Sequence, residues 1–229
     1  MGLSTLVTDP RTFFEHRRED PSLVGPALVV ALHGIMVLAT SAVILRSLGG
    51  LLDGVDTGSL VYAAGDQRVA APREFVLSLG ATPVVYLVLW VGVAVVVYLV
   101  SVYFDGEGPF RRVLAFVGWS LVPTLVPTLA VSVVITALFV DAPTFASETA
   151  VEEWVRTSVA GNPAYTAVRL VRPLFTLWMA YLWIVAAECA RGLTRRQALV
   201  AAGLPVALAV LNALGTYVGF AAQALGIVP

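Results

Sequence analysis

Residues 118–129 read Gly118-Trp119-Ser120-Leu121-Val122-Pro123-Thr124-Leu125-Val126-Pro127-Thr128-Leu129. Two prolines stand one helical turn apart in a run that carries no charge. Each removes a backbone donor and crowds the carbonyl one turn earlier, which costs about 3 kcal/mol in the interior of a soluble helix. In a membrane span, neighbouring helices and Ser or Thr hydroxyls can satisfy the freed carbonyls. The stretch therefore reads as a helix built for lipid. Pro123 and Pro127 fall on one face beside Ser120, Thr124 and Thr128, which predicts a kinked helix with hydroxyls at the bend.

The rest of the chain has the same character. It is 59% hydrophobic and 13% charged, with a mean hydropathy of +0.87, against roughly 45–50% apolar and about 25% charged in soluble domains. The charges are clumped, leaving uncharged runs at 21–45, 75–104, 113–140, 173–187 and 197–229. A crossing helix needs about 20 apolar residues. The fourth run is short, but its apolar surface continues to Arg191 with Glu188 as the one acid. The expected fold is an all-α polytopic transmembrane helix bundle of five helices, at approximately 23–46, 81–104, 113–140, 165–190 and 197–226, with the third kinked. The expected organisation is a segment 1–20 with a short interfacial helix, then one transmembrane domain over 21–229.

Arg11, Arg17 and Arg18 precede the first span, Arg111 and Arg112 join the second to the third, and Arg191, Arg195 and Arg196 join the fourth to the fifth. The loops on the other side are longer and dilute their arginines with Asp and Glu. By the positive-inside bias the N-terminus is expected in the cytoplasm and the C-terminus outside. Thr8-Asp9-Pro10 supplies a cap and a proline suited to the first helical position, placing Phe13 and Phe14 beside a basic cluster on the inner surface. The outer segment 46–74 reads as a loop with one short helix. Residues 147–161 read as a helix ending at Gly161, and Asn162 and Pro163 as the N-cap and first residue of the fourth span.

All 14 basic residues are arginine, and the net charge of -1 gives no support for nucleic-acid binding. The absence of lysine points to a GC-rich or salt-adapted prokaryote. Cys189 is the single cysteine, so no intrachain disulfide or cysteine-based zinc cluster is expected. No cofactor or metal is expected either.

A few polar groups at membrane depth are candidates for function. His33 stands mid-span, where an ionisable group is a functional candidate by default; the simpler reading is a neutral imidazole bonded to a neighbouring helix. Glu188 lies one turn before Arg191, which favours a local ion pair. Asn212 can bond across helices, and Gly215 and Gly219 form a small-residue face expected to pack within the bundle. Glu152-Glu153-Trp154-Val155-Arg156 approaches the EExxxR signature of intramembrane prenyl proteases, but the arginine is one residue too close. No HExxH, GxSxG or phosphate loop is present.

Gly118, Trp119, Ser120 and Pro123 follow a loop with Gly106 and Gly108 and the cluster Phe110-Arg111-Arg112. That order resembles the Yip1 family of small five-span membrane proteins, in which a glycine-containing inner loop leads to a GY-like pair followed by proline. Here Trp119 takes the place of the usual tyrosine. The opening Asp9-Pro10-Arg11-Thr12-Phe13-Phe14 resembles the family's lead-in, Pro21 to Pro26 its DLxGP motif with Ser22 near the place of the acid, and residues 193–205 its last inner loop. The resemblance implies a helical bundle with a cytoplasmic N-terminus, in an archaeal member. In eukaryotic members it implies binding of prenylated Rab-type GTPases, a role not carried over to this chain.

The expected function is that of a non-enzymatic integral membrane protein acting by contacts with other membrane proteins, by self-association or by shaping the bilayer. Its contact surfaces would be Arg111, Arg112, Arg191, Arg195 and Arg196 with the N-terminal segment. The alternative is a small transporter or permease subunit with a polar path near His33, Glu188 and Pro123.

Overall fold

A computed structural model describes residues 2–52, 60–64, 67–71, 73–143, 145 and 148–224. The chain is helical almost throughout. Two short helices, α1 (Leu3–Thr8) and α2 (Pro10–Glu15), precede α3 (Val24–Leu52), α4 (Arg73–Val102), α5 (Phe110–Trp119), α6 (Val122–Val140), α7 (Glu148–Trp154), α8 (Pro163–Arg191), α9 (Arg195–Ala201) and α10 (Gly203–Ala224). Four stretches are long and apolar enough to cross a membrane: Val24–Ser47, Val84–Val102, Phe110–Val140 and Pro163–Arg191. A fifth is formed if α9 and α10, bent by 68° at their junction, act as one span. The bend has a local cause, because Pro205 has no N–H for the carbonyl one turn earlier and Gly203 stiffens nothing. The expected continuous helix over 197–226 is thus broken at Ala202, and residues 225–226 lie outside the described part.

The third span is interrupted where its prolines predicted strain. α5 ends at Trp119 and α6 begins at Val122, so Pro123 occupies the second position of α6 while Pro127 lies inside it. Ser120 Oγ donates to the Phe116 carbonyl at 2.9 Å and Thr124 Oγ1 to the Leu121 carbonyl at 2.7 Å. Both carbonyls also accept backbone amides, from Ser120 at 3.0 Å and Thr124 at 3.1 Å, so these two hydroxyl bonds reinforce the turns around the break and do not go to the Trp119 and Pro123 carbonyls that the prolines leave.

Residues 46–74 differ from expectation. α3 runs on to Leu52, and β1 (Leu60–Ala64) pairs antiparallel with β2 (Gln67–Ala71), Leu60 opposite Ala71. Two β-rich runs flanking Gly65-Asp66 suit a hairpin better than a helix. The caps follow the sequence more closely. Asp9 accepts from the Thr12 amide at 3.2 Å with Pro10 next, and Asn162 Oδ1 accepts from the Ala164 and Tyr165 amides at 2.9 and 3.2 Å with Pro163 opening α8. The helix ahead of Gly161 is split, α7 giving way to a π-helical turn over Val155–Val159.

The chain divides into two compact units. One comprises Met1–Leu32, Tyr86–Val126 and Leu170–Pro229; the other comprises His33–Val85 and Pro127–Arg169. The first has a core of Leu6, Phe13, Phe14, Trp90, Phe116 and Leu182. In the second, Ile135, Phe139 and Val159 cluster with Trp154, whose ring meets Phe139 edge-on at 5.0 Å, and Ser47 Oγ donates to the Phe139 carbonyl at 2.6 Å. Large apolar side chains face outward, among them Leu28 and Ile35 on α3, Val88 and Leu99 on α4, and Leu211 and Val218 on α10. In water such faces would drive aggregation; in a bilayer they meet lipid.

Candidate functional site

The sequence motifs of the first unit pack on one another through glycine. A Cβ on Gly25 would stand 2.2 Å from the Trp119 ring, and a Cβ on Gly118 would stand 2.6 Å from Pro26 Cβ and 2.7 Å from Trp90 Nε1. Only glycine lets α3 and α5 approach this closely. Trp90 on α4 fills the same junction and donates from Nε1 to the Leu114 carbonyl at 2.7 Å. Gly118 and Trp119 are therefore packing residues, and Gly25, Pro26 and Trp90 complete the contact.

The N-terminal segment docks into this junction. It forms two helices where one was expected, and Leu6, Phe13 and Phe14 are fully buried in protein. The Phe13 ring meets Trp119 edge-on at 5.6 Å, and Phe14 lies against Phe116 at 4.8 Å. Arg17 lies over the Phe13 ring at 3.7 Å, is 5.8 Å from the Trp119 ring, and donates to the Phe13 carbonyl at 3.1 Å. The two phenylalanine rings also meet each other edge-on at 5.5 Å.

A second cluster surrounds Arg191. The side chain is almost wholly buried. Its Nε donates to Ser101 Oγ at 2.8 Å, its terminal nitrogens donate to the carbonyls of Gly106 and Gly108, and its guanidinium lies 4.6 Å from the Tyr98 ring. The Glu107 amide returns a bond to the Arg191 carbonyl at 2.9 Å. Neutral acceptors and an aromatic face thus carry a buried cation. The loop that holds it requires its glycines. Gly108 has φ +111, where a Cβ would lie 2.9 Å from the Ala190 carbonyl, and a Cβ on Gly106 would lie 2.9 Å from the Ser101 carbonyl. Arg112 reaches the same helix end and donates to the Ala190 carbonyl at 3.3 Å, where a cation also complements the helix dipole.

Glu188 does not pair with Arg191. Its Oε2 accepts from Arg11 of α2, and its Oε1 is buried without a partner. Arg191 instead directs one donor from each of its three nitrogens to Ser101 of α4 and to the Gly106 and Gly108 carbonyls of the loop, which turns its guanidinium away from its helical neighbour. Glu188 is buried while Arg11 is more than half exposed.

The remaining candidates lie apart. Arg111, Arg195 and Arg196 are exposed, unlike Arg112 and Arg191. The expected contact surface is therefore divided, two of its arginines being turned into the protein. Thr194 caps α9 in a reciprocal box with Gln197. His33 is buried and is engaged with its surroundings. Asn212 is exposed, and a Cβ on Gly215 or Gly219 would meet nothing within 4 Å. Among the described residues nothing covers the small-residue face expected to pack inside the chain. Among the described residues no three His, Cys, Asp or Glu side chains gather as a metal site would need. The sequence places Arg11 in a basic cluster and Gly25 in the motif before Pro26 but indicates no partner for either, and it carries no signal for Ser101 as an acceptor or for Trp90 at this junction.

Comparison with known proteins agrees with this arrangement of motifs. No solved structure matches the chain. An uncharacterized protein of the archaeon Methanocaldococcus jannaschii is 30% identical over 130 residues, which cover 56% of this chain and 84% of that protein, in accord with the expected archaeal kinship. The profile of the Yip1 domain matches residues 4–216, from α1 to the middle of α10, and the chain belongs to the Yip1 family.

Proposed function

We propose that this multi-pass membrane protein is not an enzyme and works by helix contacts with other membrane proteins, a second copy of itself first among them. The supporting observation is a face of α10 on which Asn212, Gly215 and Gly219 lie at helical spacing, with Asn212 exposed and, among the described residues, no neighbour over either glycine. An amide facing hydrocarbon is unfavourable, and small residues admit a partner helix closely enough for that amide to be bonded. The buried arginines serve the chain's own loops, which leaves Arg111, Arg195 and Arg196 for the surface. In the proposed orientation they lie with the N-terminus in the cytoplasm. Asn212 lies on an exposed helix face, which weighs against the transporter reading, in which it would share a polar path with His33.

The test is cysteine crosslinking in native membranes with Gly215→Cys in a Cys189→Ala background. A crosslinked dimer that disappears with Asn212→Leu supports the reading. An adduct with a different membrane protein keeps the contact function and removes self-association. Absence of any adduct overturns both.

A further inference from the structure

The connector from α2 to α3 borders a cavity of about 210 Å³ in the first unit, with Arg17, Asp20, Ser22, Gly25, Phe116 and Trp119 in its wall. The cavity is graded in polarity. Arg17, Asp20 and Ser22 precede the first span, while Phe116 and Trp119 belong to the third, Trp119 nine residues beyond its start at Phe110. At about 1.5 Å per residue the aromatic wall reaches roughly 13 Å along the span. Its size excludes a large substrate, since pockets for drug-sized ligands run to about 300–1,000 Å³. It would take roughly seven waters at about 30 Å³ each, the scale of a headgroup.

The polar groups are set for an anion with a cation beside it. Arg17 is fixed by the ring and carbonyl of Phe13. Burial lowers its pKa below the ordinary arginine value, yet a guanidinium stays charged in proteins, so it is a partly dehydrated cation at the cavity wall. Ser22 Oγ accepts from the Val24 amide at 3.3 Å, which leaves its proton to donate. The Trp119 indole N–H donates to no acceptor among the described residues. Asp20, in the same wall, would repel a bare phosphate dianion and attract an ammonium.

We propose that the cavity binds the phosphoethanolamine headgroup of a zwitterionic bilayer lipid. The phosphate oxygens accept from Arg17, Ser22 and the Trp119 indole, the ammonium meets Asp20, and the acyl chains leave along the outward apolar surface of α3. The site ties the docked N-terminal helices to the lipid around the first span. It does not depend on the contact function proposed for α10.

The experiment is native mass spectrometry of the delipidated full-length protein, titrated separately with phosphatidylethanolamine, phosphatidylglycerol and inorganic phosphate. Phosphatidylethanolamine is expected to bind best and inorganic phosphate not at all. Arg17→Gln should weaken both lipids about tenfold, the scale of one charge-assisted hydrogen bond. Asp20→Asn, at an exposed position, should abolish the preference for phosphatidylethanolamine without weakening phosphatidylglycerol. Equal binding of the two lipids to the wild type, binding of inorganic phosphate at lipid concentrations, or an unchanged preference in Asp20→Asn would each overturn the proposal, and the last needs no folded Arg17 variant.

Discussion

Arg191 Nε donates to Ser101 Oγ across 2.8 Å, joining residues 90 positions apart. That bond, with the carbonyls of Gly106 and Gly108, makes the loop between α4 and α5 a collar around the end of α8. Replacing Arg191 by Met keeps a long apolar stem but orphans the acceptors. Each unsatisfied buried group costs about 1–3 kcal/mol, so Arg191→Met should destabilise by about 3 kcal/mol or more in thermal unfolding in detergent. Arg191→Lys should not rescue it, because an ammonium cannot reproduce three divergent planar donors. A lysine variant melting with the wild type would refute the collar.

The glycines separate into two groups that one substitution distinguishes. Gly25→Ala and Gly118→Ala would place a Cβ at 2.2 Å from Trp119 and 2.6 Å from Pro26, and overpacking of this kind costs about 1–3 kcal/mol. Gly215→Ala meets open space and should leave monomer stability unchanged or slightly raised by helix propensity. Comparable losses at all three positions would mean that close packing does not explain Gly25 and Gly118.

Removal of either partner from the Arg11–Glu188 pair should be unequal in cost. Arg11→Ala leaves a buried carboxylate without its cation, whereas Glu188→Gln leaves an exposed guanidinium free to meet water. Because Arg11 is more than half exposed, the full buried-pair penalty of about 3–5 kcal/mol is reduced by solvent, to about 1–2 kcal/mol. Glu188→Gln should cost less, and the double variant should recover part of the loss. A double-mutant cycle that is additive would show the pair to be energetically silent.

The helical membrane class could be read from the uncharged runs, because hydrocarbon permits few alternatives to a helix of sufficient length. Caps such as Asp9-Pro10 and Asn162-Pro163 could be read too, since their bonds close within three residues. The pairing of Glu188 could not. Its sequence neighbour Arg191 is nearer along the helix than Arg11, and only the loop closed around Arg191 shows that this guanidinium is directed to Ser101 and the glycine carbonyls. The burial of Phe13 and Phe14 was hidden for a similar reason: two aromatics beside arginines suit a bilayer surface as well as a protein notch, and the glycines that open the notch lie on distant helices.

Acid should loosen the N-terminal segment from its first turn. The Thr12 hydroxyl and amide bonds, with help from Arg11, hold the Asp9 carboxyl below its ordinary value of 3.8. A folded-state pKa below the unfolded one means that the cap contributes fully above about pH 3.8 and is lost as pH falls below it toward the folded value. Hydrogen exchange at the Thr12 amide should therefore accelerate in that window beyond the intrinsic rate, and Asp9→Asn, which still accepts a bond, should remove the pH dependence. Protection that stays constant from neutral pH to below 3.8 would contradict the assignment.

The two prolines of the opening stretch are not equivalent, and their replacements should part in sign. Pro123 is the second residue of α6, a position whose N–H has no helical partner. Pro123→Ala should thus change stability by no more than about 1 kcal/mol, mostly through the unfolded chain. Pro127 lies buried inside α6, where alanine restores a donor for the Pro123 carbonyl. Net gain from one such bond is about 0.5–1.5 kcal/mol, so Pro127→Ala should raise the melting temperature in detergent and protect its new amide from exchange. If Pro123→Ala were the costlier change and the amide at 127 exchanged freely, the break before Val122 would owe its stability to the first proline's ring and not to the hydroxyls of Ser120 and Thr124.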